Sequence, residues 1–308
     1  MLVNLNKLLP LARKGHYAVG AFNINNLETL QGVVEAVEKS RTPVILQTSE
    51  GALEYAGLEY LGALVRTAAK KMRVPMVFHL DHGKDIALIK RVIRSGLYTS
   101  VMFDGSRLPF KENIRKTREL ARFSHARGMT LEAELGVIKG TEDKVSADAD
   151  LFTDPHQAAE FVAETGCDAL AVSIGTSHGA YKFSGTPKLD IARLEEIARV
   201  VRVPLVLHGA SGVDKNELKK LHEKCEVLGD CERLSGAQGV PDEQIRLAIE
   251  HGIAKINIDS DLRLCFTAAV RSALINDKKM FDPRVYLGAG RSAVTEIVKK
   301  KIKLFRGS

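Results

Sequence analysis

The sequence has no tryptophan, no Cys-x-x-Cys pair and no apolar run near the ~18 residues that a membrane span requires. Its first residues include only the short apolar patch LLPLA, which is too short for the core of a signal peptide. We therefore expect a reduced, cytoplasmic chain with no membrane partner. The four cysteines that this expectation treats as unpaired thiols are Cys167, Cys225, Cys231 and Cys265.

Dense clusters of positive charge are also scarce, although the formal net charge is +7. Lysine and arginine are spread along the chain, and the one dense run is VKKKIKLFRG at 298–307. Ile297, Ile302 and Leu304 recur there at roughly helical spacing, which predicts a solvated terminal helix. Because aromatic and basic residues do not alternate, nucleic-acid binding is disfavoured. A positive field also suits an anionic substrate.

The chain contains eight short β-rich runs, and amphipathic helical segments separate them. The runs cover residues 17–24, 43–50, 74–81, 99–106, 130–136, 168–175, 204–211 and 254–260. This alternation predicts a single (β/α)8 TIM barrel domain over residues 1–308, with a C-terminal helical extension. A doubly wound open sheet is the alternative, but no G-x-G-x-x-G follows the first strand.

The stretch 137–155 is polar and has no clear periodicity. An aperiodic segment of this length in a compact barrel is typical of an active-site flap. It contains Glu142 and Asp143, which form an ordinary solvated acidic pair unless the flap brings them to a site. The sequence therefore predicts a loop over 137–155.

Histidines stand at the carboxyl ends of three predicted strands, where the site of a TIM barrel lies. His82, His178 and His208 would meet on one rim, and three nitrogen ligands with one open position make a catalytic zinc site. The spacing alone leaves open whether a metal binds. His79 shares strand parity with Asp81, so it either supports the site or is a packed strand histidine.

Carboxylates accompany these histidines. Asp81 adjoins His82 and is expected to point the other way, which suits either an acid–base group or the N-cap of the next helix. Glu132 and Glu134 share one strand face, and carboxylates inside a barrel are costly unless a cation compensates them. Asp104 and Glu134 could therefore hold the metal in a second position.

Three short segments could bind an anion through backbone amides and small side chains. They are SHGAYKFSG at 177–185, HGASG at 208–212 and NIDSD at 257–261. Each is a weak signal alone, but together they favour a phosphorylated substrate. Lys255 lies at the start of the eighth strand, the end that serves stability, so a Schiff-base role is not expected.

Seven motifs together resemble the class II, metal-dependent fructose-bisphosphate aldolases. The resemblance covers nearly the whole chain, from GAFNINN at 20–26 to FDPRVYLGAGR at 281–291. The motifs are LDHGKD (80–85), FDGS (103–106), EAELG (132–136), GTEDK (140–144), GTSHGAYK (175–182), VLHGASG (206–212) and KINIDSDLR (255–263).

The resemblance implies a role for each site residue. Asp81 would be the acid–base group at the aldehyde oxygen, and Glu142 would move the proton on the dihydroxyacetone phosphate carbon. The implied zinc ligands are His82, His178 and His208, with Glu134 and Asp104 at an alternate metal position. The implied cradle for the triose phosphate consists of Gly179, Lys182, Gly209, Ser211, Asn257, Asp259 and Ser260.

Three further substrate contacts are implied. Asn23 would touch the substrate, and Ser49 would face the far phosphate. Arg284 would reach the second phosphate, and in some members of the family the matching arginine comes from a neighbouring subunit. The resemblance thus predicts a homodimer or homotetramer.

The implied activity is zinc-dependent, reversible cleavage of fructose 1,6-bisphosphate to dihydroxyacetone phosphate and glyceraldehyde 3-phosphate, in glycolysis and gluconeogenesis. The resemblance leaves room for a second divalent or monovalent cation. A tagatose-bisphosphate aldolase is the nearest alternative, and the second aspartate of NIDSD favours fructose bisphosphate over it. A metal-dependent barrel hydrolase or epimerase is a more distant alternative.

Overall fold

The computed structural model describes residues 1–142, 145–147, 151–178, 188–210 and 239–307, and for residues 139–142, 145–147 and 177–178 it describes the backbone alone. Among the described residues, no helix combines the length and the apolar character needed to cross a bilayer.

Eight parallel strands form a closed barrel in which each strand pairs with the next barrel strand along the chain. The first and last strands also pair, with Val19 opposite Lys255. This closure confirms the predicted (β/α)8 barrel and rules out the open doubly wound sheet. The barrel strands are β1 (Val19–Asn23), β2 (Val44–Thr48), β3 (Met76–Gly83), β4 (Ser100–Phe103), β5 (Thr130–Leu135), β8 (Ala169–Val172), β10 (Leu205–Leu207) and β11 (Ile253–Ile258).

Helices surround the barrel, and their apolar faces pack on the outside of the sheet. They begin with a 3-10 turn (Leu5–Lys7) and α1 (Leu9–Lys14). The helices that follow are α2 (Leu27–Ser40), α3 (Glu50–Ala56), α4 (Leu58–Lys71), α5 (Ile86–Ser95), α6 (Phe110–His125), α7 (Pro155–Thr165), α8 (Ile191–Val200), α9 (Asp242–Glu250), α10 (Ser260–Asn276) and α11 (Pro283–Phe305).

The amino-terminal end of the barrel interior is apolar and closed. Val19, Ala21 and Val77 point inward there and pack with Leu5 and Leu9 of the N-terminal segment. All five side chains are at most 2% exposed. The N-terminal segment therefore acts as a plug for this end of the barrel.

The C-terminal extension is the long helix α11, which packs against α2 at a close approach. A Cβ on Gly32 would lie 2.8 Å from the Arg291 carbonyl oxygen and 2.8 Å from Val294 Cγ1, so only glycine fits there without a shift. The basic run at 298–307 is helical up to Phe305, as predicted, but it is not wholly solvated. Ile302 and Phe305 are buried because they face the barrel side of the helix.

The predicted loop over 137–155 is wrong for two of its parts. Strands β6 (Lys139–Glu142) and β7 (Val145–Ala147) pair antiparallel, and β6 also pairs with β9 (Ser177–His178). Apolar periodicity could not reveal these strands, since the segment has no such period and strand pairing is made by backbone hydrogen bonds. The resulting three-stranded sheet lies apart from the barrel strands in the hydrogen-bond order.

Candidate metal and carbonyl-chemistry site

The site begins with an irregularity at the end of strand β3. The register with β4 shifts between Leu80 and Gly83, and His82 has a left-handed φ of 47°. Regular pleating would send neighbouring side chains to opposite faces. The bulge instead brings the ligand atoms of Asp81, His82 and His208 within 4.8 Å of one another. The expectation that Asp81 and His82 point in opposite directions is therefore wrong.

Asp81 is 2% exposed and lies at the centre of a hydrogen-bonded group of amides. Its Oδ1 accepts from Asn257 Nδ2 at 2.9 Å, and its Oδ2 accepts from Gln47 Nε2 at 3.0 Å and from Asn23 Nδ2 at 3.3 Å. The N-cap of the following helix is Asp85, whose side chain accepts from Ala87 N. Asp81 is thus free of the capping role that the sequence left open.

The two histidines with described side chains face each other. His82 Nε2 and His208 Nδ1 are 2.8 Å apart, and two ring nitrogens at that distance share either a proton or a cation. Their other nitrogens point to carboxylates: His82 Nδ1 is 3.4 Å from Asp104, and His208 Nε2 is 2.8 Å from Glu132. Carboxylates in this position orient the ligands of many metal centres.

A second group of ligand atoms adjoins the first. His82, Asp104 and Glu134 have ligand atoms within 4.8 Å of one another. Glu134 is 2% exposed, and its Oε2 has no hydrogen-bond donor among the described residues. A buried carboxylate oxygen of this kind requires a cation or a proton. The donor set of histidine nitrogens and carboxylate oxygens fits a divalent metal such as zinc.

The electrostatics of the site follow from this crowding of carboxylates. Burial lowers the pKa of His82, but the charges of Asp81, Asp104 and Glu134 outweigh burial and raise it to about 10. Burial, with the Asp104 charge, raises the pKa of Glu134 well above its usual value. Burial would also raise the pKa of Asp104, but the bond with His82 holds it below the usual range. The site therefore favours bound positive charge.

Beneath His208, the barrel interior contains a second set of charges. Glu132 and Lys255 are both fully buried, and Lys255 Nζ lies 2.8 Å from Glu132 Oε2. His79, also fully buried, approaches the same carboxylate at 3.5 Å and contacts Ser100 Oγ at 2.8 Å. Glu132 thus has a cation as its partner, as its burial requires, but that cation is a lysine side chain.

The other predicted substrate contacts with described side chains have partners of their own. Ser49 caps α3 by accepting from Ala52 N at 3.2 Å. Asp259 is 2% exposed and pairs with Arg263 at 2.7 Å, just before Ser260 begins α10. Gly209 follows His208 directly and has a φ of 62°, which favours glycine.

Arg284 lies far out on the surface. Its side chain is 89% exposed, and its Nη2 is 2.7 Å from Asp282 Oδ2 at the start of α11. Within the described part of this chain, Arg284 therefore contacts no other predicted site residue.

Five predicted site residues lie wholly or partly outside the described residues. For His178 and Glu142 the backbone is described: Gly140 of β6 is the register partner of His178, and Glu142 ends β6 two residues later. Gly179, Lys182 and Ser211 lie outside the described residues.

Gln47 and Lys255 are the site residues that the sequence interpretation missed. Gln47 is fully buried and donates to Asn23 Oδ1 at 2.6 Å as well as to Asp81. A signal was available in the sequence. Gln47 is the one amide side chain in VILQT, the otherwise mainly apolar strand β2, and it lies near the carboxyl end of that strand. For Lys255, the sequence interpretation considered only the backbone, which starts the eighth strand at the end that serves stability. Its long side chain extends inside the barrel to Glu132.

Comparison with known proteins identifies the family. The model for "Fructose-bisphosphate aldolase class-II" matches residues 3–227 and 232–308. A fructose-bisphosphate aldolase of Thermus caldophilus is 46% identical over 307 residues, which are 99% of this chain and 98% of that protein. One of Giardia intestinalis is 45% identical over 99% of this chain and 93% of its own length.

A solved structure gives the same result. The YdjI aldolase from Escherichia coli K12 aligns with a TM-score of 0.77 and 34% identity, covering 99% of this chain and 97% of that one. Both the sequence relatives and this structure extend over the full barrel. The chain therefore belongs to the class II fructose-bisphosphate aldolase family and is an aldolase, a carbon–carbon lyase.

Proposed function

We propose that this chain catalyses the reversible, zinc-dependent cleavage of fructose 1,6-bisphosphate to dihydroxyacetone phosphate and glyceraldehyde 3-phosphate, in glycolysis and gluconeogenesis. The observation that carries the proposal is the convergence of Asp81, His82 and His208 at the carboxyl ends of the strands. It supplies an acid–base carboxylate next to a cation site, which aldol chemistry requires.

His82 and His208 would hold the zinc ion, with His178 as the third ligand. Asp104 and Glu134 would offer an alternate position, or a place for a second divalent or monovalent cation. When bound, the ion supplies a Lewis acid for the negative charge that develops on the substrate's ketone oxygen as the carbon–carbon bond breaks.

Asp81 would remove the proton of the C4 hydroxyl during cleavage and return it in the condensation direction. Three amide groups hold its carboxylate, so the side chain is positioned before substrate arrives. A base that is already oriented avoids part of the entropy loss in the transition state.

Glu142 would protonate the carbon of the departing triose phosphate. It ends β6, which is paired with the strand that contains His178, so the backbones of base and ligand belong to one small sheet. The phosphate would be bound by Gly179, Lys182, Gly209, Ser211, Asn257, Asp259 and Ser260. Asn23 would contact the substrate, and Ser49 would face the far phosphate.

We further propose that the chain acts in the cytoplasm as a homodimer or homotetramer in which Arg284 binds the second phosphate of a neighbouring subunit's substrate. Two observations support this. The Arg284 side chain is 89% exposed, and Phe281 nearby is 89% exposed, which is unusual for a large apolar residue.

The test is an assay of fructose 1,6-bisphosphate cleavage by the purified chain, with and without a chelator, run beside tagatose 1,6-bisphosphate. We expect cleavage that the chelator abolishes and zinc restores, with fructose bisphosphate preferred. A preference for the tagatose epimer would identify the alternative aldolase. Metal-dependent hydrolysis or epimerisation without carbon–carbon cleavage would contradict the proposal.

A further inference from the structure

The buried charges beneath the metal site suggest a role beyond packing. Glu132 is fully buried inside the barrel, one layer below the residues that would hold the metal. Its carboxylate contacts His208 Nε2 at 2.8 Å and Lys255 Nζ at 2.8 and 3.1 Å. Neither the carboxylate nor the lysine is exposed to solvent.

The contact between Glu132 and His208 determines which ring nitrogen carries the hydrogen. A carboxylate can only accept, so the histidine must donate from Nε2. Nδ1 then keeps its lone pair, and it is Nδ1 that lies 2.8 Å from His82 Nε2 at the cation site. The hydrogen bond thus directs the ligand-forming nitrogen to the place where the metal would bind.

Lys255 makes this arrangement possible. An isolated carboxylate at zero exposure would be strongly destabilising or would take up a proton, and a protonated carboxyl accepts more weakly from an imidazole. The lysine ammonium contacts both oxygens of the carboxylate, including Oε1 that accepts from His208, and compensates the charge. The two residues must therefore act as a pair.

We propose that Glu132 and Lys255 form a positioning pair, which fixes the ring orientation and tautomer of His208 and thereby strengthens metal binding. The inference rests on the proposed function, since it treats His208 as a metal ligand. Neither residue touches the substrate or the metal.

The test compares two double variants, and in each both charged side chains of the pair are replaced by neutral ones. Glu132→Leu/Lys255→Met removes the acceptor for His208, whereas Glu132→Gln/Lys255→Met keeps an amide oxygen that can accept. We expect zinc affinity, measured by competition with a chromophoric chelator, to fall about 10- to 100-fold in the first variant. The second should retain most of the affinity, because the hydrogen bond is restored.

A matched control is Thr130→Val, on the same strand and the same inward face. Thr130 Oγ1 accepts from Leu5 N and, among the described residues, contacts no member of the metal site. We expect its zinc affinity to stay within about twofold of the parent chain, while the melting temperature of the metal-free protein reports any general loss of stability. Zinc affinity within twofold of the parent in a folded Glu132→Leu/Lys255→Met protein would overturn the inference.

A second measurement uses the parent chain and does not depend on the two double variants folding. Metal-free protein with ¹⁵N-labelled histidine should show His208 protonated at Nε2 only, its signals assigned by their loss in His208→Asn. Protonation at Nδ1 would overturn the inference while leaving the aldolase assay intact. A parent chain that bound no zinc would overturn both this inference and the proposed metal mechanism.

Discussion

The two ends of the barrel interior are built from the same strands but differ in chemistry. On β3, Val77 points inward at the closed end among apolar side chains, and Asp81 points inward at the open end among amides and imidazoles. On β11, the interior changes from Ala254 to Asn257 in the same way. One scaffold therefore supplies a packed end for stability and a polar end for reaction.

The difference also shows how polar groups can be buried at the open end. Asp81 and Glu132 have amides, an imidazole or a lysine as partners, whereas Glu134 Oε2 has no hydrogen-bond donor among the described residues. A polar cluster of this kind contributes little net stability, whereas loss of one partner is costly. Substitutions at the two ends should therefore affect different properties.

The largest effect is expected for Asp81→Ala at the open end. Loss of a positioned acid–base group should reduce kcat for cleavage about 10²- to 10⁴-fold, with zinc content unchanged, because the two histidines remain. Steady-state kinetics and metal analysis check this. Val77→Ala on the same strand is the control and should keep kcat within a few fold. Near-normal cleavage by Asp81→Ala would show that another residue is the base.

At the closed end, Leu9→Ala should act on stability instead. Leu9 is fully buried in the plug, so its truncation should leave a cavity and lower the free energy of unfolding by about 2–5 kcal/mol. Denaturant unfolding of the metal-free protein measures this, and kcat under folded conditions should not change. A large fall in kcat of Leu9→Ala without loss of stability would contradict the assignment of stability to the closed end and of reaction to the open end.

The free energy of unfolding should also depend on pH, because His82 lies at the open end. The pKa of His82 is raised from an ordinary value near 6.5 to about 10, so the folded metal-free chain keeps a proton that the unfolded chain releases. That stabilisation is complete below pH 6.5 and is lost as the pH rises through about 10. The melting temperature of metal-free protein should therefore fall between pH 7 and 10. His82→Asn should remove most of this decline, and an unchanged slope in that variant would contradict the assignment.

The smallest effect on stability is expected at Arg284. Solvent screens its exposed pair with Asp282, so Arg284→Ala should hardly change the free energy of unfolding. If the residue binds a phosphate, KM should rise roughly tenfold or more while kcat changes little. Lys299→Ala, another cation on α11 in an ion pair, is the matched control. Equal KM values in the two variants would remove Arg284 from the site.

The strands and helices of the barrel could be predicted from the sequence because burial imposes a period on each. The sheet formed by β6, β7 and β9 could not, since its pairing depends on backbone hydrogen bonds and β9 lies far from β6 in sequence. The bulge at His82 was equally hidden, because regular alternation placed Asp81 and His82 on opposite faces. Polar strand ends did indicate where the chemistry lies.

The partners within the site were harder to predict than its location. Nothing in the spacing of Glu132 and Lys255 reveals that a lysine from β11 crosses the barrel interior to meet a carboxylate on β5. Such a pairing depends on side-chain length and on the radius of the closed barrel. Gln47 was missed because a single amide in an apolar strand has many structural explanations.

We propose that the open end holds one catalytic zinc ion between His82 and His208. Crystals of the zinc-loaded protein, measured at the zinc absorption edge, test it most directly. We expect one strong anomalous peak per chain, within bonding distance of His82 Nε2 and His208 Nδ1. The absence of a peak there, with the protein fully active, would contradict the claim.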